Sequence, residues 1–156
     1  MARKKIGEYE KALKDLQKSI LLNPQNSHAF KVRGDIYSIQ EKHSLAKKDY
    51  AEAVRLAPNL LTAQLELAWL LATCPDAAIR DGDRSIQLAT KACEQTNWKD
   101  PVCLLMLSAG YAEKGEFETA LKHLAEMKKL KPTENKELAS DMEELFRTKT
   151  PYRESD

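Results

Sequence analysis

Apolar residues recur at three- and four-residue intervals along most of the chain, the spacing that gathers them onto one side of a helix. Ala12, Leu13, Leu16 and Ile20 form one such stripe, and Leu138, Ala139, Met142, Leu145 and Phe146 form another near the end. A stripe of this kind must be covered, because burying each large apolar side chain contributes about 1.5–3 kcal/mol. Only five glycines and six prolines punctuate the 156 residues, and the pattern predicts helices throughout. Pro24, Pro58 and Pro132 each stand where a stripe ends, and proline cannot continue a helix, so they are expected to close successive units.

The stripes repeat. "GEYEKALKDLQKSILLNP" (7–24) returns as "GEFETALKHLAEMKKLKP" (115–132), and both Pro24 to Pro58 and Ala12 to Ala46 span 34 residues. Between the copies, Phe30, Gly34, Tyr37, Ala46, Tyr50, Ala53 and Pro58 place aromatic and small residues at fixed offsets. Leu104, Leu107, Ser108, Tyr111, Gly115, Ala120, Leu124 and Pro132 do the same later in the chain. This spacing resembles the tetratricopeptide repeat, a pair of antiparallel helices recurring every 34 residues. The small residues Gly34, Ala46 and Ala120 are expected where two helix backbones come closest.

The resemblance implies an all-α fold, a right-handed α-solenoid of antiparallel helix pairs with a C-terminal capping helix. Residues 1–24 would form the second helix of an incomplete first repeat, 27–60 and 101–132 full repeats, 134–147 the cap and 148–156 an extended tail. Residues 61–100 fit as a lengthened repeat, similar to a variant found in bacterial members of the family. Ser85, Ala89 and Ala92 take its packing positions, and "TCPDAAIRDGD" (73–83) carries the extra length as a loop. Ala46 to Ser85 is 39 residues, five more than the period, and Ser85 to Ala120 is 35.

The start is irregular. Gly7 falls at the position of a turn, and six residues precede it where the family has a whole helix. Leu13, Leu16 and Ile20 would then lack cover. One reading makes the chain the C-terminal piece of a longer protein. In the other, a second copy supplies the cover and the chain self-associates through residues 7–32.

Composition narrows the function classes. A formal net charge of +1 with both signs interspersed offers no basic field for nucleic acid. No apolar run reaches the length of a membrane span, and the basic start "MARKKIGEYE" has no apolar segment behind it to make a secretory signal. Three cysteines without a CxxC pair fit a reducing interior, so a cytoplasmic location is expected. Cys93 and Cys103 sit in apolar helical patterns as small hydrophobes, and Cys74, beside Pro75, is the one expected to react if any does. His28, His43 and His123 are scattered without metal-ligand spacing. Asp76, Asp81 and Asp83 lack the alternating ligands and downstream glutamate of a calcium loop, and Asp83 is expected to cap a helix starting at Arg84. Neither a phosphate loop nor a nucleophile motif supports an enzyme, and no cofactor or metal is expected. Trp98 is expected to pack ahead of Pro101, with partner contact as its alternative. Arg33 stands where the family has leucine, with its stem packed and its head in water or paired with an acid.

In the family, the first helix of each repeat lines a concave face. By register that face would carry Lys31 and Asp35, then Leu65, Glu66 and Trp69, then Val102, Leu105 and Met106. The best-known family mode grips a terminal carboxylate with lysine, asparagine and arginine; here Lys31 fits the lysine place, but Asp35 stands where asparagine would be and Glu66 and Thr62 replace the basic pair, which disfavours an acidic tail. The resemblance therefore implies a non-catalytic module holding a peptide or helix in an apolar groove. Self-assembly through Leu13, Leu16 and Ile20, or service as a docking domain of a larger enzyme, are the alternatives.

Overall fold

In a computed structural model, which describes residues 2–130 and 135–154, the described residues hold eight helices and no strand. They are α1 (Ala2–Leu22), α2 (Ser27–Ile39), α3 (His43–Leu56), α4 (Leu61–Thr73), α5 (Gly82–Gln95), α6 (Pro101–Glu113), α7 (Phe117–Leu130) and α8 (Lys136–Arg147). Pro132, expected to close the repeat after α7, and Glu134, expected to open the cap, lie outside the described residues. The chain divides into two compact units, residues 1–63 and 64–156.

In the first unit, α1 packs on α2 and α2 on α3. The turn expected at Gly7 is absent: α1 runs unbroken from Ala2, and nothing lies within 4 Å of where a Gly7 Cβ would stand. Glycine there only weakens an open stretch of helix. Gly34 is different. An ideal Cβ at Gly34 would stand 2.7 Å from two carbons of the Tyr50 ring, and that ring is itself buried. The expected approach of two backbones at Gly34 is therefore an approach of α2 to the Tyr50 side chain.

The α2–α3 turn and the α6–α7 turn are built alike. The N–H of Lys42 donates to the Tyr37 carbonyl at 2.8 Å across Glu41, whose φ is 57°. The N–H of Glu116 donates to the Tyr111 carbonyl at 2.9 Å across Gly115, whose φ is 80°. Both turns need one residue in the left-handed region, where glycine is free of the Cβ clash and glutamate is not.

In the second unit, α6 packs on α5 and α7, and α8 on α7. Ser85 is fully buried, and its hydroxyl donates to the Ala68 carbonyl of α4 at 2.8 Å; Ser108 of α6 does the same to Ala120 of α7 at 2.7 Å. A buried hydroxyl costs free energy unless paired, so these bonds let serine fill a small-residue position. Two backbones come close at Gly110, where a Cβ would stand 3.0 Å from Ser85 Oγ and 3.2 Å from the Ile86 nitrogen. The periodicity had not singled out Gly110. No helix among the described residues is long and apolar enough to cross a membrane.

The long connection from α4 to α5 covers residues 74–81 and is pinned to the second unit. The Asp81 N–H donates to the Leu71 carbonyl at 2.9 Å, and Ile79 is buried. Asp81, not Asp83, caps α5: its side chain accepts from the Arg84 N–H at 2.9 Å. The helix starts two residues earlier than expected, which leaves Asp83 in its first turn and paired with Lys114 at 2.7 Å. Cys74 is buried too, and burial pushes its thiol pKa up, which opposes the reactivity expected of it. Residues 75–78 and Asp81 of the connection are exposed.

Candidate partner-binding face

The residues expected to line a groove fall in both units. In the first, Lys31 and Asp35 stand one turn apart on α2 and pair with each other at 2.8 Å. The Tyr50 hydroxyl donates to the second Asp35 oxygen at 3.1 Å. Asp35 is thus engaged inside its own unit, and the Lys31 ammonium already has a counter-charge. Arg33 resolves to the paired alternative. Its Nε and Nη2 donate to the two oxygens of the buried Asp49 at 2.6 and 2.8 Å, and its Nη1 donates to Gln17 of α1 at 2.7 Å.

In the second unit, Leu65 and Trp69 are half-buried on α4 and Glu66 is exposed. Val102 and Met106 are half-buried on α6. Leu105 is only 1% exposed, so it belongs to the core and offers a partner nothing. The reason is that α6 is apolar on nearly every side, and register alone does not tell which apolar residues its neighbours cover.

Sequence reasoning missed the tail. After α8 the chain reverses through Lys149, whose φ is 58°, and the Thr150 N–H donates to the Leu145 carbonyl at 2.9 Å. Residues 151–154 then run against α4 and α6. The Tyr152 ring lies 5.6 Å from the Trp69 ring at an interplanar angle of 38°. The Glu154 N–H donates to the Thr73 carbonyl at 2.9 Å. Arg153 donates through Nη1 to the Ala72 carbonyl at 3.2 Å, and its Nη2 pairs with Glu113 Oε2 of α6 at 2.6 Å.

Glu113, the last residue of α6, receives this arginine. Its side chain is 16% exposed and its Oε1 accepts from Arg80 Nε at 2.9 Å. Arg80 is held in turn by the carbonyls of Cys74 and Pro75 at 2.8 and 2.9 Å. The loop thus contributes a fixed arginine that orients the Glu113 carboxylate. Carbonyls at the end of α4 add the partial negative charge of a helix C-terminus. The result is a small site that accepts a guanidinium beside an indole that accepts an aromatic ring. Among the described residues no group of histidines, cysteines or carboxylates is arranged to hold a metal.

Of the self-association residues, Leu13, Leu16 and Ile20 are half-buried, while Leu21 and Leu22 at the end of α1 are exposed, at 72% and 79%. Trp98, expected to pack, is 43% exposed and takes a left-handed φ of 60° at the end of α5.

A family model described as tetratricopeptide repeat matches residues 1–26 and 32–60. No curated protein matches the chain. Among solved structures, it is similar to MamA from Desulfovibrio magneticus RS-1 (residue 41 to the end) and to a MamA RS-1 ArsTM double mutant. Each match has a TM-score of 0.70 at 15% identity and covers 93% of this chain and 83% of that one. At that identity the likeness carries the fold alone. Residues 1–26 and 32–60 of the first unit thus match the tetratricopeptide repeat, and nearly the whole chain shares the fold of these solved structures.

Proposed function

We propose that the chain is a non-catalytic scaffold that binds a protein segment on the α4–α6 side of its second unit. The observation that carries this reading is the pair of half-open apolar steps, Leu65 with Trp69 on α4 and Val102 with Met106 on α6, each four residues apart. The rest of α6 is almost wholly buried, so these positions are where its apolar surface stays open. Tryptophan and methionine are effective anchors at protein interfaces, one large and rigid, the other adaptable. Truncating an anchor typically costs more than 1 kcal/mol of binding and a central one at least about 2.

The expected result is that Met106→Glu lowers capture of partner protein from a cell extract at least about tenfold, the equivalent of about 1.4 kcal/mol. Helicity by circular dichroism should stay unchanged, because Met106 is half-open. Equal capture by wild type and variant at equal helicity would remove this face from the function.

A second reading, self-assembly through α1, is supported by the exposure of Leu21 and Leu22 beside the half-buried Leu13, Leu16 and Ile20. It predicts dimers or larger species in sedimentation at high concentration that revert to monomers in Leu16→Glu. A wild-type chain that stays monomeric would reject it.

A further inference from the structure

Residues 151–154 have no helix or strand of their own to satisfy, yet they engage α4 and α6 at three points. Two of those points read side chains: the Trp69 ring receives Tyr152, and Glu113 with the Ala72 carbonyl receives Arg153. A third, the Thr73 carbonyl, reads only backbone. This division is how an extended peptide is bound, with main-chain bonds giving hold and side-chain pockets giving selectivity. The receiving groups are also built in advance. Arg80, held by the α4–α5 connection, donates to the other Glu113 oxygen, so the carboxylate has an anchor besides Arg153.

We propose that this is a recognition site for an extended partner segment carrying an aromatic residue followed by arginine, and that the chain's own Tyr152–Arg153 occupies it in cis as a competitor. The inference rests on the α4–α6 reading above and gives that face a partner chemistry. A single tyrosine–arginine step has few contacts, so its intrinsic affinity is weak. Tethering compensates, because a short linker holds the tail near the site at an effective concentration in the millimolar range. A partner segment must therefore displace residues 151–154, which gate the site. Charge selects the occupant: Glu113 and the α4 carbonyls favour a cation and repel an acidic residue at the arginine place.

The test uses the full chain and a fluorescein-labelled heptapeptide with the sequence of residues 150–156, "TPYRESD". Binding is followed by fluorescence anisotropy to wild type and to the Tyr152→Ala/Arg153→Ala double variant, in which the cis ligand is removed. The double variant is expected to bind the peptide at least about tenfold tighter than wild type does, reflecting the lost cis competitor. Adding Glu113→Gln or Trp69→Ala to the double variant should abolish that binding at unchanged circular dichroism, as should replacing arginine by glutamate in the peptide. Equal affinity for wild type and double variant, or binding indifferent to Glu113 and to the peptide's arginine, would overturn the proposal. Stable association of wild-type chain with the double variant would make a second copy the occupant, and would also overturn it. If Met106→Glu abolishes partner capture while the heptapeptide treats both proteins alike, the α4–α6 reading survives and the aromatic–arginine site falls.

Discussion

Arg33→Ala is expected to destabilise the first unit by about 3–5 kcal/mol, the usual effect of removing one partner from a buried ion pair. Asp49 is almost completely buried, and Arg33 donates to both of its carboxylate oxygens, at 2.6 and 2.8 Å. Without the guanidinium, a carboxylate is left in a poorly solvating interior, which costs more than the pair was worth. The same residue also joins α1 to α2 through Gln17 and lies 5.4 Å from the centre of the Phe30 ring. Lysine should recover only part of the loss, because a single ammonium cannot bond both Asp49 oxygens as the planar fork does. Arg33→Met combined with Asp49→Leu should recover most of it, since apolar replacement of both partners is often near neutral. Urea unfolding of the full chain measures all three. A loss below 1 kcal/mol for Arg33→Ala would mean that water reaches Asp49 and that the pair behaves as a surface bridge.

Phe146→Ala is the second large effect, expected to cost the second unit about 3–5 kcal/mol. Phe146 is 1% exposed and meets the Phe117 ring of α7 at 6.3 Å, with Met142 and Ala139 buried on the same face of α8. Truncation leaves a cavity that two helices joined along one seam cannot readily close. The polar ties across that seam are weaker. Glu143 pairs with Lys128 of α7 and, at 2.6 Å, with Arg147, yet all three side chains are about a third exposed or more. Glu143→Gln should therefore cost less than about 1 kcal/mol. Its carboxyl is held below the ordinary carboxylate range, chiefly by Lys128 and then by Arg147. That contribution is complete above the ordinary range and is lost as pH falls through the lowered folded-state value. Because α8 ends in the turn that aims residues 151–154, Phe146→Ala should also uncover Trp69 and shift its emission to the red. A variant with wild-type stability, or one destabilised with Trp69 still covered, would show that α8 neither seals α7 nor places the tail.

The helical pattern was legible wherever periodicity and spacing agreed. Tyr37 and Tyr111, each nine residues ahead of a small buried alanine, mark turns that prove to share one geometry. Pattern reading failed where a residue's role depends on what another segment brings to it. Gly7 looked like a turn because its counterpart Gly115 is one, yet only Gly115 has a positive φ. Leu105 and Met106 are neighbours of similar hydropathy, and only packing against other helices makes one core and the other surface. Arg33 offered two readings until α3 placed Asp49 opposite it. The tail carried no periodic signal at all. Its contacts to residues 69, 72, 73 and 113 join parts of the chain 40 to 83 residues apart, which no local pattern encodes.

The central claim is that these helices bury each other's apolar sides and leave the α4–α6 face of the second unit for a protein partner. A photocrosslinking residue at position 106, compared with one at the exposed Ala125 of α7, tests it most directly. A discrete crosslinked adduct from position 106, absent from 125 and suppressed by excess unlabelled chain, is the outcome the account predicts. Adducts that form equally from both positions, or from 125 alone, would contradict it.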